Sequence, residues 1–270
     1  MENALDLLAL SPPGWGGNLL RGLWSTFQTT LHSMENALEP LALSPPGWGG
    51  NLLRGLWSTF QIAAGAYALG LTLGLFGAFG KIYGGPVLRG TLAVYTTVIR
   101  AVPELVLILL LYYLGTDLLN IALTSMGFER IDISGLWAGI YVIGFVQGAY
   151  STEVLRGAFQ AVPFGQIEAA RAIGMSAFKA HWRIILPAMV PFAIPGLANL
   201  WLIATKETAL LAVVGFSELA LETKQAAGAT KSYFLFYCAA GALYLLLSLV
   251  STGVFSLVER HFRRGQPQQS

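Results

Sequence analysis

Five apolar stretches, each 19 to 26 residues long, decide what this chain can fold into. They run from about Leu56 to Gly80, Leu92 to Leu114, Leu136 to Val154, Val190 to Val214 and Tyr233 to Val258. A helix needs about 20 mostly apolar residues to cross the hydrocarbon core of a bilayer. In lipid every backbone N–H and C=O must be satisfied within the segment itself, which selects helices for such stretches. The pattern therefore predicts an all-α integral membrane protein with five transmembrane helices. Composition bears on the same point, because 55% of residues are hydrophobic and only 11% charged. An ordinary soluble domain carries about 25% charged residues, so much of this surface must face lipid.

Several function classes fall away on composition. A net charge of +2 offers no strong pull toward nucleic acid. Cys238 is the single cysteine, so no intrachain disulfide framework exists, and three scattered histidines make a poor zinc site. No Gly-x4-Gly-Lys-Ser/Thr loop occurs. Gly80-Lys81 is followed by Ile82 and lacks the earlier glycine. The chain does not bind ATP by that mechanism, so an energy input must come from a partner.

Lys and Arg orient the chain. One set of helix ends carries Lys81, Arg89, Arg156, Arg171, Lys179, Arg183, Arg260, Arg263 and Arg264. The other carries Arg21, Arg54, Arg130, Lys224 and Lys231, together with Asp117, Glu129, Asp132, Glu218 and Glu222. Positive charge accumulates on the cytoplasmic side, so the first set is expected there. The N-terminus is then periplasmic and the C-terminus cytoplasmic, as five spans require.

The N-terminus is duplicated. Met1–Gln28 recurs as Met34–Gln61 with two changes, Asp6 to Glu39 and Leu7 to Pro40. One repeat is no solenoid. It reads as a recent duplication or a start-site artefact. The functional alternative is an interfacial amphipathic segment using Leu19, Leu20, Leu23, Trp24 and Phe27. Glu2 and Asp6 argue against a signal peptide, whose first region is basic. The expected organisation is a duplicated segment over 1–46, a transmembrane domain over 47–264 and a cytoplasmic tail over 265–270.

The connection from about Arg156 to Met189 is too polar to span. It predicts a short helix over Ile167–Gly174, a break at Gly174-Met175-Ser176 with Ser176 as cap, and a second helix from Ala177 ended by Leu186-Pro187. Two short helices about a glycine turn make a knob suited to docking.

Ionisable residues inside spans are costly and tend to face a cavity or one another. Arg100 and Glu104 lie four apart, which on one helix puts them on one face. Glu104 is either paired with Arg100 or faces a pathway for a cation. Pro103 between them frees a backbone carbonyl. Lys206 and Glu207 point about 100° apart around a helix. Gln147, Tyr150, Asn199 and Trp201 either line a pathway or make interhelical contacts. Glu153 and Arg156 read as a structural pair, and Gly65, Gly70, Gly74 and Gly77 as a close-packing stripe.

In the loop, Glu168-Ala169-Ala170, three residues, Gly174, nine residues, Ile184, one residue and Leu186-Pro187 match the EAA motif of ABC-importer permeases. Gly148–Phe159 and Lys206–Leu210 fit the polar amino acid permease family, and Ile99–Leu107 resembles the Q-type subunit of histidine and lysine-arginine-ornithine importers and their opine-transporting relatives. The resemblance covers about Gly47 to Arg264 and leaves the first N-terminal copy outside. It implies the type I importer permease fold and a permease subunit in the bacterial inner membrane. That subunit forms half of a pathway for polar, in particular basic, amino acids. Its implied partners are a second permease of M type, two ATPase subunits holding ATP and Mg, a periplasmic binding protein and membrane lipid, but no nucleic acid. The chain itself binds no cofactor and is no enzyme. The resemblance assigns ATPase coupling to the loop 166–187, through Glu168, Ala169, Ala170, Arg171, Gly174, Ile184, Leu186 and Pro187. For any one side chain there, simple solvation remains the alternative. Arg100, Glu104, Gln147, Tyr150, Asn199, Trp201, Lys206 and Glu207 are the candidate pathway residues. The rival class is an ion-coupled transporter or channel, which would need no nucleotidase. A membrane-embedded enzyme finds no nucleophile with a base and no metal-ligand cluster in any span.

Overall fold

The computed structural model describes residues 22–30, 32, 38–130 and 133–262. The chain divides into two compact units, residues 1–51 and 52–270. In the first, residues 22–30 are helical with Leu23, Trp24 and Phe27 exposed. A 3-10 turn, Glu39–Leu41, is closed by Ala42 N–H donating to the Glu39 carbonyl at 2.9 Å, and Trp48 N–H donates to the Pro40 carbonyl at 2.8 Å. Leu19, Leu20, Arg21, Asp132, Arg263, Arg264 and the expected tail lie outside the described residues.

The rest is helical, with no strand among the described residues. The helices are α1 (Gly49–Tyr83), α2 (Pro86–Ala101), α3 (Glu104–Ser125), α4 (Gly135–Gln160), α5 (Phe164–Ala172) and α6 (Ala177–Ala180). A π-turn (His181–Ile185) then leads into α7 (Leu186–Glu207), a 3-10 turn (Thr208–Val214), α8 (Leu219–Thr230) and α9 (Tyr233–Phe262). Four helical segments are long and apolar enough to cross a membrane: α1, α3, the continuous run Ala177–Val214, and α9. The expected third span forms α4 but is not among these four. It is 26 residues long, about 39 Å at 1.5 Å per residue, yet it mixes Gln147, Ser151, Thr152, Glu153 and Arg156 into its apolar sequence.

Position explains that mixture. α4 is the central helix, with thirteen buried residues, and packs against α2, α3 and α7. A helix shielded by protein does not need a lipid-facing surface. The glycines of α1 let its backbone approach α4 closely. A Cβ at Gly70 would lie 2.7 Å from the Gln147 Cβ, and one at Gly74 or Gly77 would collide with Ser151 or Thr152. The stripe read from the sequence is thus a packing surface, as small residues are between membrane helices.

The expected second span is broken. Val102 is extended (φ −91°, ψ 139°) and Pro103 caps α3. A proline disfavours helical geometry in the residue before it, so the chain stops and restarts. Arg100 falls in the last turn of α2 and Glu104 in the first turn of α3. Each sits at the helix end its charge favours. The two do not share a face of one continuous helix, and no ion pair joins them among the described residues. The expectation that Leu186-Pro187 ends a helix is also corrected. Helix continues through the π-turn into α7, with Pro187 in its first turn. A proline ring clashes with the carbonyl four residues back in a regular α-helix, and the wider turn before it gives that ring room.

At the opposite end from the α5–α6 loop, buried Glu218 ties three helices. It accepts from the backbone N–H of Ala220 (2.9 Å) and Leu221 (2.8 Å), capping α8, and from the Tyr244 hydroxyl of α9 at 3.0 Å. Thr59 of α1 donates to it at 3.4 Å and accepts from Leu219 N–H at 3.2 Å.

Candidate functional site

Two places gather the residues singled out by sequence. The first is the loop. α5 ends in a Schellman motif: Gly174 N–H donates to Arg171 C=O at 2.9 Å and Met175 N–H to Ala170 C=O at 3.0 Å. Gly174 has φ +75°. That left-handed conformation costs an L-residue roughly 1–2 kcal/mol and glycine nothing. A Cβ there meets nothing within 4 Å, so backbone geometry rather than crowding within the chain requires glycine. Ser176 then caps α6, accepting from Lys179 N–H at 3.4 Å. Ala170 is buried, and Ile185 and Met189 pack on Ala78, Leu155 and Ala158. Glu168, Ala169, Arg171, Gly174 and Pro187 are exposed, while Ile184 and Leu186 are half-buried. Ile173, Phe178 and Trp182 add exposed apolar surface to the knob.

Above the loop lies an ionic network. Glu153 accepts from Arg156 at 2.8 Å, the pair expected from the sequence. Its other oxygen takes Lys81 of α1 at 2.5 Å, and Lys81 also donates to Thr96 of α2 at 2.5 Å. Through Lys81 this network joins α1, α2 and α4. Lys81 and Thr96 were not legible as its members, since 72 and 57 residues separate them from Glu153 in sequence.

The second place is midway along α4. Gln147 Nε2 donates to Glu207 Oε2 at 2.8 Å. Gln147 is 1% exposed and Glu207 5%. The remaining oxygen of each, Gln147 Oε1 and Glu207 Oε1, is buried with no partner among the described residues. Glu104 interacts with both Glu207 and Tyr150. Arg100 is exposed and stands over the Tyr150 ring, 5.9 Å from its centre. The structure therefore brings Glu104, Gln147, Tyr150 and Glu207 together, with Arg100 at their edge. Lys206 and Asn199 are exposed and outside this cluster. Trp201 is buried elsewhere, edge-on to Phe60 and Tyr67, with its indole nitrogen unpartnered among the described residues. Two carboxyls in one low-dielectric place repel when both are ionised, and a positive charge between them relieves that repulsion. Ionised carboxylate oxygens only accept, so in that state the place suits a donor-rich cation such as ammonium or guanidinium.

The chain matches, over residues 70–264, the family described as binding-protein-dependent transport system inner membrane component. It is 41% identical over 204 residues to the histidine/lysine/arginine/ornithine transport system permease protein HisQ of Salmonella typhimurium, covering 76% of this chain and 90% of that one. It is 37% identical over 262 residues to the octopine transport system permease protein OccQ of Rhizobium meliloti, covering 97% of both. That alignment reaches residues before Gly47, so the resemblance extends beyond the 47–264 region that sequence reading assigned to it. Among solved structures, an amino acid ABC transporter crystallised with histidines superposes with a TM-score of 0.69 at 30% identity, over 79% of this chain and 95% of that one. The methionine transporter MetNI in an inward-facing conformation shares the fold, with a TM-score of 0.67 at 18% identity over 81% and 99%. With the family model spanning most of the chain and relatives near 40% identity across it, the chain belongs to the binding-protein-dependent transport system inner membrane components, the multi-pass permeases of ABC importers.

Proposed function

We propose that this permease forms one half of an inner-membrane pathway for basic amino acids or their derivatives, and that Glu104 and Glu207 select the cation. The observation that carries this reading is the meeting of the two carboxyls beside Gln147 and Tyr150, with the buried Gln147 Oε1 and Glu207 Oε1 unpartnered among the described residues. The histidine/lysine/arginine/ornithine and octopine systems among its relatives are named for substrates with basic side-chain groups, which fits such a place. As a permease it is not an enzyme, and ATP hydrolysis lies in separate subunits. In our reading two such subunits, holding ATP and Mg, dock on the loop 166–187. A second permease of M type completes the pathway, and a periplasmic binding protein delivers the solute. The N-terminus is periplasmic and the C-terminus cytoplasmic. ATP binding and hydrolysis then drive alternating access by moving the loop, while the acidic cluster holds the cation between the two openings.

The test keeps shape and removes charge. Glu207→Gln and Glu104→Gln are reconstituted with the partner subunits and the binding protein. A charge-assisted hydrogen bond is worth about 1.5–3 kcal/mol, roughly a ten- to hundred-fold effect. Uptake of a basic substrate should fall by about that factor relative to a neutral analogue delivered by the same binding protein. Equal loss for both would make the carboxyls structural. No loss for either would remove them from the pathway.

A further inference from the structure

Four rings meet where α1, α4 and the loop converge. The His181 ring stacks on Phe159 of α4, with centroids 5.1 Å apart at 29°. It lies 5.5 Å from the Phe79 ring and 5.1 Å edge-on to Tyr83, both on α1. The Tyr83 hydroxyl and His181 Nδ1 share a hydrogen bond of 2.8 Å. The second ring nitrogen, Nε2, is buried without a partner among the described residues. His181 is also the first residue of the π-turn that joins α6 to α7. Nothing in the loop motif or the acidic cluster uses it.

Neutral imidazole carries one donor and one acceptor in either tautomer. In the docked ring Nδ1 meets the Tyr83 hydroxyl, a bond that fixes the ring's orientation. Docking is held by the ring stack and the tyrosine hydrogen bond, which fix the ring against α1 and α4 together. Single π-turns inside helices recur at functional positions. The packing of Ile167, Ile185 and Leu186 of the loop beside Ala78 and Leu155 of the bundle is apolar. Apolar contact is non-directional and allows sliding. The hydrogen bond and stacked ring at His181 have direction.

We propose that His181 is a positioning residue for energy coupling, its ring clasped by Tyr83 and Phe159 so that displacement of the loop reaches α1 and α4. The inference rests on the reading that the loop 166–187 docks the ATPase. When the loop moves, the clasp pulls the ends of α1 and α4 with it. Without the clasp the loop slides over its apolar seat, and hydrolysis proceeds with less transport.

The test is substrate transported per ATP hydrolysed, in the reconstituted full complex with loaded binding protein. His181→Ala should still assemble and hydrolyse ATP, with the ratio lowered about two- to ten-fold, the range expected for losing one net hydrogen bond and its stack. Tyr83→Phe keeps every ring and removes only the hydroxyl, and should lower the ratio in the smaller part of that range. His181→Asn places an amide near the Nδ1 position and should recover part of it. A merely structural role would lower yield, or both rates together, and leave the ratio unchanged. An unchanged ratio in His181→Ala and Tyr83→Phe overturns the proposal. If His181→Ala does not assemble, Tyr83→Phe alone decides in the same way. A wild-type permease that binds no ATPase sinks the docking reading and the clasp with it. A wild type that couples normally while both variants do too sinks the clasp alone.

Discussion

Gly174 shows how one residue serves two demands that mutation can separate. Its φ of +75° penalises any side chain, and the space around its missing Cβ is open within this chain. Gly174→Ala therefore carries only the left-handed penalty, roughly 1–2 kcal/mol on the loop turn. Gly174→Asn should cost less, since asparagine visits that region more readily. Gly174→Trp carries the same backbone penalty and adds bulk that nothing in this chain opposes. Pull-down of the ATPase subunit should show Trp releasing it well beyond Ala. Equal retention in Ala and Trp would mean that no partner covers this turn. At the same scale, Glu207 outweighs its neighbour Lys206. The two are adjacent in sequence, yet the helix turns one inward to Gln147 and the other outward to the surface.

At the scale of elements, the contact between α1 and α4 organises the molecule. It sets the backbone of α1 against Gln147, Ser151 and Thr152, and so places the polar face of α4 that meets Glu207. A side chain in this seam has nowhere to go. Gly74→Val should lower stability by about 1–3 kcal/mol through overpacking, read as a lower unfolding midpoint in detergent. Gly157 lies on the same α4 with open space at its Cβ. Gly157→Ala should hold the midpoint or raise it, by up to about 1 kcal/mol of helix propensity. If both variants shift the midpoint alike, the seam is looser than the distances imply. The α2–α3 break is the other decisive element. It turns an expected continuous span into two helices whose ends present Arg100 and Glu104 to different neighbours.

At the scale of the whole molecule, the distribution of charge predicts which side of the membrane each end faces. The excess of Lys and Arg around the α5–α6 loop predicts that this end is cytoplasmic. Ser134 precedes α4 at one end and Ser176 caps α6 at the other. Cys238 is exposed and must first be removed. In a Cys238→Ala background, a membrane-impermeant thiol reagent applied to intact cells should label Ser134→Cys and spare Ser176→Cys. The opposite pattern would invert the permease, and with it the placement of its ATPase partner.

Sequence alone determined the class of this protein, because lipid imposes a length and an apolarity that read directly from the chain. The loop was equally legible. A fixed spacing of glycine, cap and helix formers is local chemistry, and Gly174 and Ser176 act where that spacing put them. The glycine stripe of α1 was legible as packing, though its partner was not. Tertiary structure decided the rest. Proline propagates its effect only one residue back, so Pro103 was visible, but whether the helix kinked or stopped depended on what packs around it. Glu207 meets Gln147 across 60 residues of sequence, Glu153 meets Lys81 across 72, and His181 meets Tyr83 across 98. No periodicity within one helix encodes such pairs. They arise because separate helices bury one face each, and buried polar groups must then find their partners among whatever that packing brings near.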